Sequence, residues 1–192
     1  MDQRLKTDFP FEDRTLSLRD GRRARMRRGG VKDAAAFREY LIRVAPTSDQ
    51  IGLYQDEVGT VEENECSLAR RDPSTGGLLL LAEPEDQAGL IVGDCSLSTF
   101  PRRKFAGLLV MGMLCDEAWR GVGLGRALLE ASLDWARANP GIRRVELGVL
   151  ATNPRAQSLY ESFGFKVEAR REARCLQEDG SLVDDIQMVL AV

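Results

Sequence analysis

Histidine is absent from the 192 residues of this chain. Its absence removes Ser-His-Asp and Cys-His chemistry and leaves few ways to build a zinc site, so no metal is expected. The four cysteines, Cys66, Cys95, Cys115 and Cys175, are far apart and form no Cys-x-x-Cys pair. They are read as reduced structural residues. No apolar run approaches the roughly 20 residues that span a bilayer. Residues 1–10, with Asp2, Arg4, Lys6 and Asp8, lack the apolar centre of a signal peptide. The expectation is a cytoplasmic protein that does not enter membranes. A net charge of −3 speaks against bulk nucleic-acid binding. One segment departs from that balance, where Arg22, Arg23, Arg25, Arg27 and Arg28 crowd together. It reads as a solvated first strand and turn, with a contact surface for an acidic partner as the alternative.

What is present describes one globular domain. Apolar residues make up 43% of the chain and charged residues 30%, ordinary values for a soluble fold with a single core. Residues 1–14 read as a loosely held lead-in and 15–192 as the domain. A first strand is expected within 16–28, closed by Gly29-Gly30. A helix follows from Val31, with Asp33 as cap, Phe37, Tyr40, Leu41 and Val44 on one face, and Pro46 as its stop. A more polar helix is expected over 56–71, then strands over 78–82, 88–98 and 104–115. Leu124, Leu128, Ala131 and Trp135 recur at helical spacing and predict a helix over 123–138. A strand over Arg144–Leu150 precedes Asn153-Pro154, a cap residue followed by proline at the first helical position. That short helix should run to Phe163 and close at Gly164. A hairpin of 165–174 and 182–192 ends the chain. The fold class is α/β, a mixed and mostly antiparallel sheet with helices on both faces.

The most informative stretch is Arg120-Gly121-Val122-Gly123-Leu124-Gly125-Arg126, between an apolar strand and a strong helix. Glycine lets main-chain N–H groups point inward at close range. The helix start adds unpaired donors and the positive end of its dipole. This pattern predicts a ligand carrying a diphosphate. A P-loop would need Lys and then Ser or Thr after the last glycine, and Arg126-Ala127 stands there instead. A Rossmann unit would need Gly-x-Gly-x-x-Gly near the start of a βαβ unit, and Gly121-x-Gly123-x-Gly125 does not supply that spacing.

The arrangement Arg120-x-x-Gly123-x-Gly125 resembles the central motif of the GNAT superfamily of N-acetyltransferases. The likeness continues downstream through Asn153-Pro154-Arg155-Ala156, Leu159-Tyr160, Gly164-Phe165 and a closing hairpin with Asp184-Asp185-Ile186-Gln187-Met188. It covers roughly residues 106–190. The resemblance implies a single domain with splayed central strands, the fourth and fifth in order, and acetyl-CoA as co-substrate. Backbone amides from Gly121, Val122, Gly123, Leu124, Gly125 and Arg126 would hold the pyrophosphate, with Arg120 and Arg126 adding charge. The pantetheine arm would lie along the backbone of Met113, Leu114 and Cys115, with Asn153 beside it. Cys115 departs from the valine that is frequent there. As a nucleophile it would have no histidine to activate it.

The same resemblance puts Tyr160 at the position of the general acid that protonates the leaving thiolate, and a strand amide near Leu114 at the developing oxyanion. No acid lies on 105–115; Asp94, Glu146 and Glu57 stand on neighbouring elements, a water relay would serve as well, and no base is assigned. The implied activity is acetyl transfer by direct attack of a primary amine of a small molecule or peptide. A non-catalytic acyl-CoA-binding module is the rival reading. Homodimers are frequent in the family.

Overall fold

The computed structural model describes residues 11–47, 50–72, 75–100 and 102–192. Among them, strands β1 (Arg14–Ser17), β2 (Arg23–Arg28), β3 (Leu78–Pro84), β4 (Gly93–Thr99), β5 (Leu108–Cys115), β6 (Arg144–Leu150), β7 (Lys166–Leu176) and β8 (Leu182–Ala191) form one sheet. Their order is β1-β2-β3-β4-β5-β6-β8-β7. All neighbours are antiparallel except β5 and β6, which are parallel. The helices are α1 (Ala34–Val44), α2 (Val61–Ala69), α3 (Leu124–Ala138) and α4 (Pro154–Ser162).

The run Leu78-Leu79-Leu80-Leu81 on β3 shows how the layers form. Its side chains alternate across the sheet, and each is no more than 1% exposed, so both faces must be covered. Leu78 and Leu80 join the core under α3, with Leu124, Leu128 and Leu133. Leu79 and Leu81 meet Phe37, Tyr40 and Val44 of α1 and Leu68 of α2 on the other face. Tyr160 of α4 belongs to the α3 side. No helix among the described residues is long and apolar enough to cross a membrane.

Several expected boundaries move, each for a local reason. The single first strand is a hairpin, because Gly21 takes a φ of +86° and Asp20 accepts hydrogen bonds from the Arg22 main chain and Nε. The expected fourth and fifth strands are therefore β5 and β6. Helix α2 begins at Val61 rather than 56: Thr60 Oγ1 accepts from Glu63 N, and Glu63 Oε2 accepts from Thr60 N at 2.7 Å, a capping box that sets the start. Strand β4 begins at Gly93 instead of 88, after a turn in which Gly89 has a φ of +90°. The 104–115 strand begins only at Leu108, after a 3-10 turn at Arg103–Phe105.

The lead-in proposed for 1–14 lies outside the described residues as far as residue 10. Phe11 packs against the core and Arg14 opens β1. The arginine-rich segment is largely neutralised within the chain. Arg22 pairs with Asp20, Arg23 with Glu85, Arg25 with Asp13, and Arg27 with both Glu83 and Asp33. These pairs favour the solvated-strand reading over a surface for an acidic partner.

Candidate active site

Strands β5 and β6 are in register only at Leu108↔Arg144, Leu109↔Val145 and Val110↔Glu146. Beyond that point β5 stays with β4 as far as Cys115, and β6 stays with β8 as far as Leu150. The two strands therefore part, and a cleft of about 900 Å³ opens between Gly112–Cys115 and Gly148–Leu150.

Ladder parity decides which main-chain atoms face this cleft. Asp116 N donates to Val92 O at 2.9 Å, and Gly107 O accepts from Arg143 and Arg144 on the β6 side. Antiparallel bonds alternate along a strand, so Leu114, opposite Asp94, turns its amide toward β4. The main-chain groups of Met113 and Cys115 point to the cleft. The Cys115 carbonyl already accepts from Arg120 Nε at 3.0 Å, which leaves the Met113 groups and the Cys115 amide. The Leu114 main chain, expected to lie along the pantetheine arm, is thus turned to β4, and the amides at the gap are those of its neighbours.

One end of the cleft is the glycine turn. Asp116 opens it by accepting from Ala118 N, and Gly121 and Gly123 adopt φ of +82° and +102°. Both values suit glycine and strain other residues. The amides of residues 124–126 begin α3 and have no helical partner. Leu124 buries its side chain completely in the core, so it offers this turn only its main chain. Val122 packs partly against the same core, and its carbonyl accepts from Arg19 N at 3.0 Å.

Among the described residues, Arg19, Arg120, Arg126 and Arg155 line this end of the cleft. Arg120 is spent on bracing, since Nη2 also donates to Thr47 Oγ1 at 2.6 Å. Arg126 donates to Ser162 Oγ and stacks on Phe163. A Cβ on Gly121 would lie 2.8 Å from Arg155 Nη2, so that guanidinium sits against the bare glycine. Arg19 and Arg155 were not singled out as binding residues by the sequence. Arg19 arrives from the β1–β2 turn about a hundred positions upstream, and only the fold reveals it. Arg155 stands within the Asn153-Pro154-Arg155-Ala156 block, next to a cap residue, and its charge was the available signal.

Farther along the cleft stand Asn153 and Tyr160. Asn153 Oδ1 accepts from Ala156 N at 3.0 Å, the cap that starts α4. Tyr160 is 7% exposed and rests on Phe165 with ring centroids 5.8 Å apart. Burial pushes its phenol well above the ordinary value, so it stays protonated. Burial likewise pushes the Cys115 thiol up to about 12. A thiol so protonated is a poor nucleophile.

A second cavity, about 340 Å³, lies on the α1/α2 face and is lined by Phe37, Glu57, Glu63, Arg71, Asp94 and Leu114 among others. It shares Leu53, Gly112, Met113 and Leu114 with the larger cleft. Glu146 lines neither space and pairs with Arg144 at 2.5 Å.

Comparisons with known proteins bear on the family and the fold. Residues 37–165 match the model of the acetyltransferase (GNAT) family. A mycothiol acetyltransferase from Jonesia denitrificans is 31% identical over 140 residues, covering 72% of this chain and 43% of that protein. The chain thus spans less than half the length of the curated relatives it matches. Among solved structures, an acetyltransferase of the GNAT family from Streptococcus pneumoniae is 29% identical with a TM-score of 0.80, covering 88% of this chain and 99% of that one. A GNAT superfamily phosphinothricin acetyltransferase from Sinorhizobium meliloti, solved in complex with acetyl-CoA, shares the fold at 19% identity, with a TM-score of 0.75 and 88% of each chain covered.

Proposed function

The chain belongs to the acetyltransferase (GNAT) family, and on that footing we propose that it moves the acetyl group of acetyl-CoA to a primary amine of a small molecule or peptide by direct attack. The observation that carries this reading is the parting of β5 from β6 beside the glycine turn, which joins an anion cradle to a strand-shaped slot ending at Tyr160. The residues fit the group: Gly121 and Gly123 leave the turn bare of Cβ atoms, and uncommitted main-chain polar groups line the slot.

Bound there, acetyl-CoA supplies an activated acyl group as a thioester. Amides of the turn and of the first turn of α3 receive the pyrophosphate, with Arg155 and Arg126 beside them. Met113 and Cys115 offer main-chain bonds to the pantetheine arm, as an edge strand does to an added strand. Tyr160 holds a proton for the departing sulfur. Cys115 serves through its amide and not through its thiol.

Thiol release from acetyl-CoA across a panel of primary amines tests the activity. Amine-dependent release is expected, whereas acetyl-CoA binding with no release for any amine would leave the non-catalytic module standing. Replacing Arg155 by Ala should raise the acetyl-CoA Kd about tenfold, equivalent to about 1.4 kcal/mol. The defect should shrink at high salt, where surface charges are screened, as titration calorimetry at two salt concentrations will read.

A further inference from the structure

Resting on that reading, we propose that the acceptor amine occupies the smaller cavity on the α1/α2 face and that Asp94 takes its proton. Asp94 sits on β4 directly opposite Leu114, and its side chain lines the cavity that shares Gly112, Met113 and Leu114 with the cofactor cleft. Cross-strand partners project from the same sheet face. The carboxylate therefore stands beside the stretch of β5 where the thioester end of the donor has to lie. Tyr160 belongs to the core on the opposite face. A proton acceptor and a proton donor thus flank the gap from its two sides, as attack by nitrogen and departure of sulfur require.

The other acids at the two cavities, and Glu146, are committed elsewhere: Asp185, which lines the cofactor cleft, accepts from Gln187 Nε2 at 2.8 Å and pairs with Arg171. Glu57 is exposed and accepts from Tyr54 N at 2.9 Å. Glu63 is exposed and spent in the α2 capping box. Glu146 faces neither cavity. Asp94 is only 4% exposed and takes a hydrogen bond from the Tyr40 hydroxyl at 3.2 Å. Facing it are Tyr40 from α1 and Arg71 just past the end of α2, with Glu57 and Glu63 lining the rest of the cavity; Cys115 points to the opposite face of the sheet and feels its charge only from there. Cys95 and Tyr160 also feel its charge. Burial pushes the Asp94 carboxyl up to about 7, against the pull of Arg71, the Tyr40 hydroxyl and the Leu114 amide. A base with that affinity is matched to work near neutral pH.

The proton count closes. An acceptor entering as ammonium gives one proton to the Asp94 carboxylate and becomes a neutral amine. Its lone pair forms the C–N bond while the C–S bond breaks. The departing sulfur takes the Tyr160 proton, and because Asp94 already holds the first proton, the second one lost by the nitrogen returns to the tyrosine by way of solvent. The products are an amide and a thiol, with one proton left on Asp94 for release to water.

The test is Asp94→Asn in the full chain. Turnover at pH 7 should fall at least about a hundredfold, while the acetyl-CoA Kd stays within about twofold. The rising limb of kcat/KM near pH 7 should vanish, leaving the limb set by the amine itself. A second readout needs no activity. Asp94 is raised in the folded state from an ordinary value of 3.8, so the folded chain holds a proton that the unfolded chain has lost between about pH 4 and 7. Wild-type stability from this group falls across that window, and the melting-temperature gap between Asp94→Asn and wild type should widen in favour of the variant. Tyr40→Phe removes a bond that favours the carboxylate, and should move the rising limb to higher pH. Wild-type turnover with Asp94→Asn keeping both rate and limb overturns the assignment alone, as does a limb unmoved by Tyr40→Phe. A wild-type chain that releases no thiol with any amine overturns the acetyltransferase reading and the base with it.

Discussion

Gly123→Val should abolish measurable acetyl-CoA binding, with Kd raised at least about a hundredfold, while the chain stays folded. Gly123 caps α3 with a φ of +102°, a conformation that costs a β-branched residue on the order of 1–3 kcal/mol. The strain is relieved most cheaply by turning the Val122–Leu124 peptides, which redirects the amides proposed to receive the pyrophosphate. The position is open at its base: an added Cβ would meet nothing closer than Arg19 Cγ at 3.9 Å. Titration calorimetry beside a thermal melt separates the two effects. A variant that melts with the wild type and binds normally would remove the phosphate role from this turn.

Tyr160→Phe should lower kcat at least about tenfold and leave the acetyl-CoA Kd nearly unchanged. The ring fills a core position, and Phe preserves its packing on Phe165. Only the hydroxyl is lost. Because burial holds the phenol protonated, the wild-type residue can donate to sulfur across the whole working pH range, so the deficit should persist from pH 6 to 9. Equal turnover in variant and wild type would assign the tyrosine to packing alone.

Much of this site was legible in the sequence because its parts are local. A glycine turn, a capping asparagine with proline after it, and an apolar strand before them each announce themselves within ten residues. The final hairpin and the leucine-rich β3 were visible for the same reason. What escaped depends on pairing across long separations. Arg19 reaches the turn only because the β1–β2 hairpin docks there through Val122. Asp94 was among the acids the sequence offered, but its place opposite Leu114 follows only from the register of β4 on β5. Ladder parity, which turns Leu114 away from the cleft and Met113 and Cys115 toward it, is likewise a property of partners. The late start of α2 is a different case. Thr60 and Glu63 form a capping box in plain view, and the acidic run at 56–57 obscured it.

The central claim is that main-chain amides at the glycine turn hold the diphosphate while the arm lies between β5 and β6. A crystal grown with acetyl-CoA tests it most directly. The account predicts pyrophosphate density against residues 121–126 and the acyl sulfur beside Tyr160, with the arm bonded to Met113 and Cys115. Density for the molecule elsewhere on the surface, with the turn and the gap filled by solvent, would contradict it.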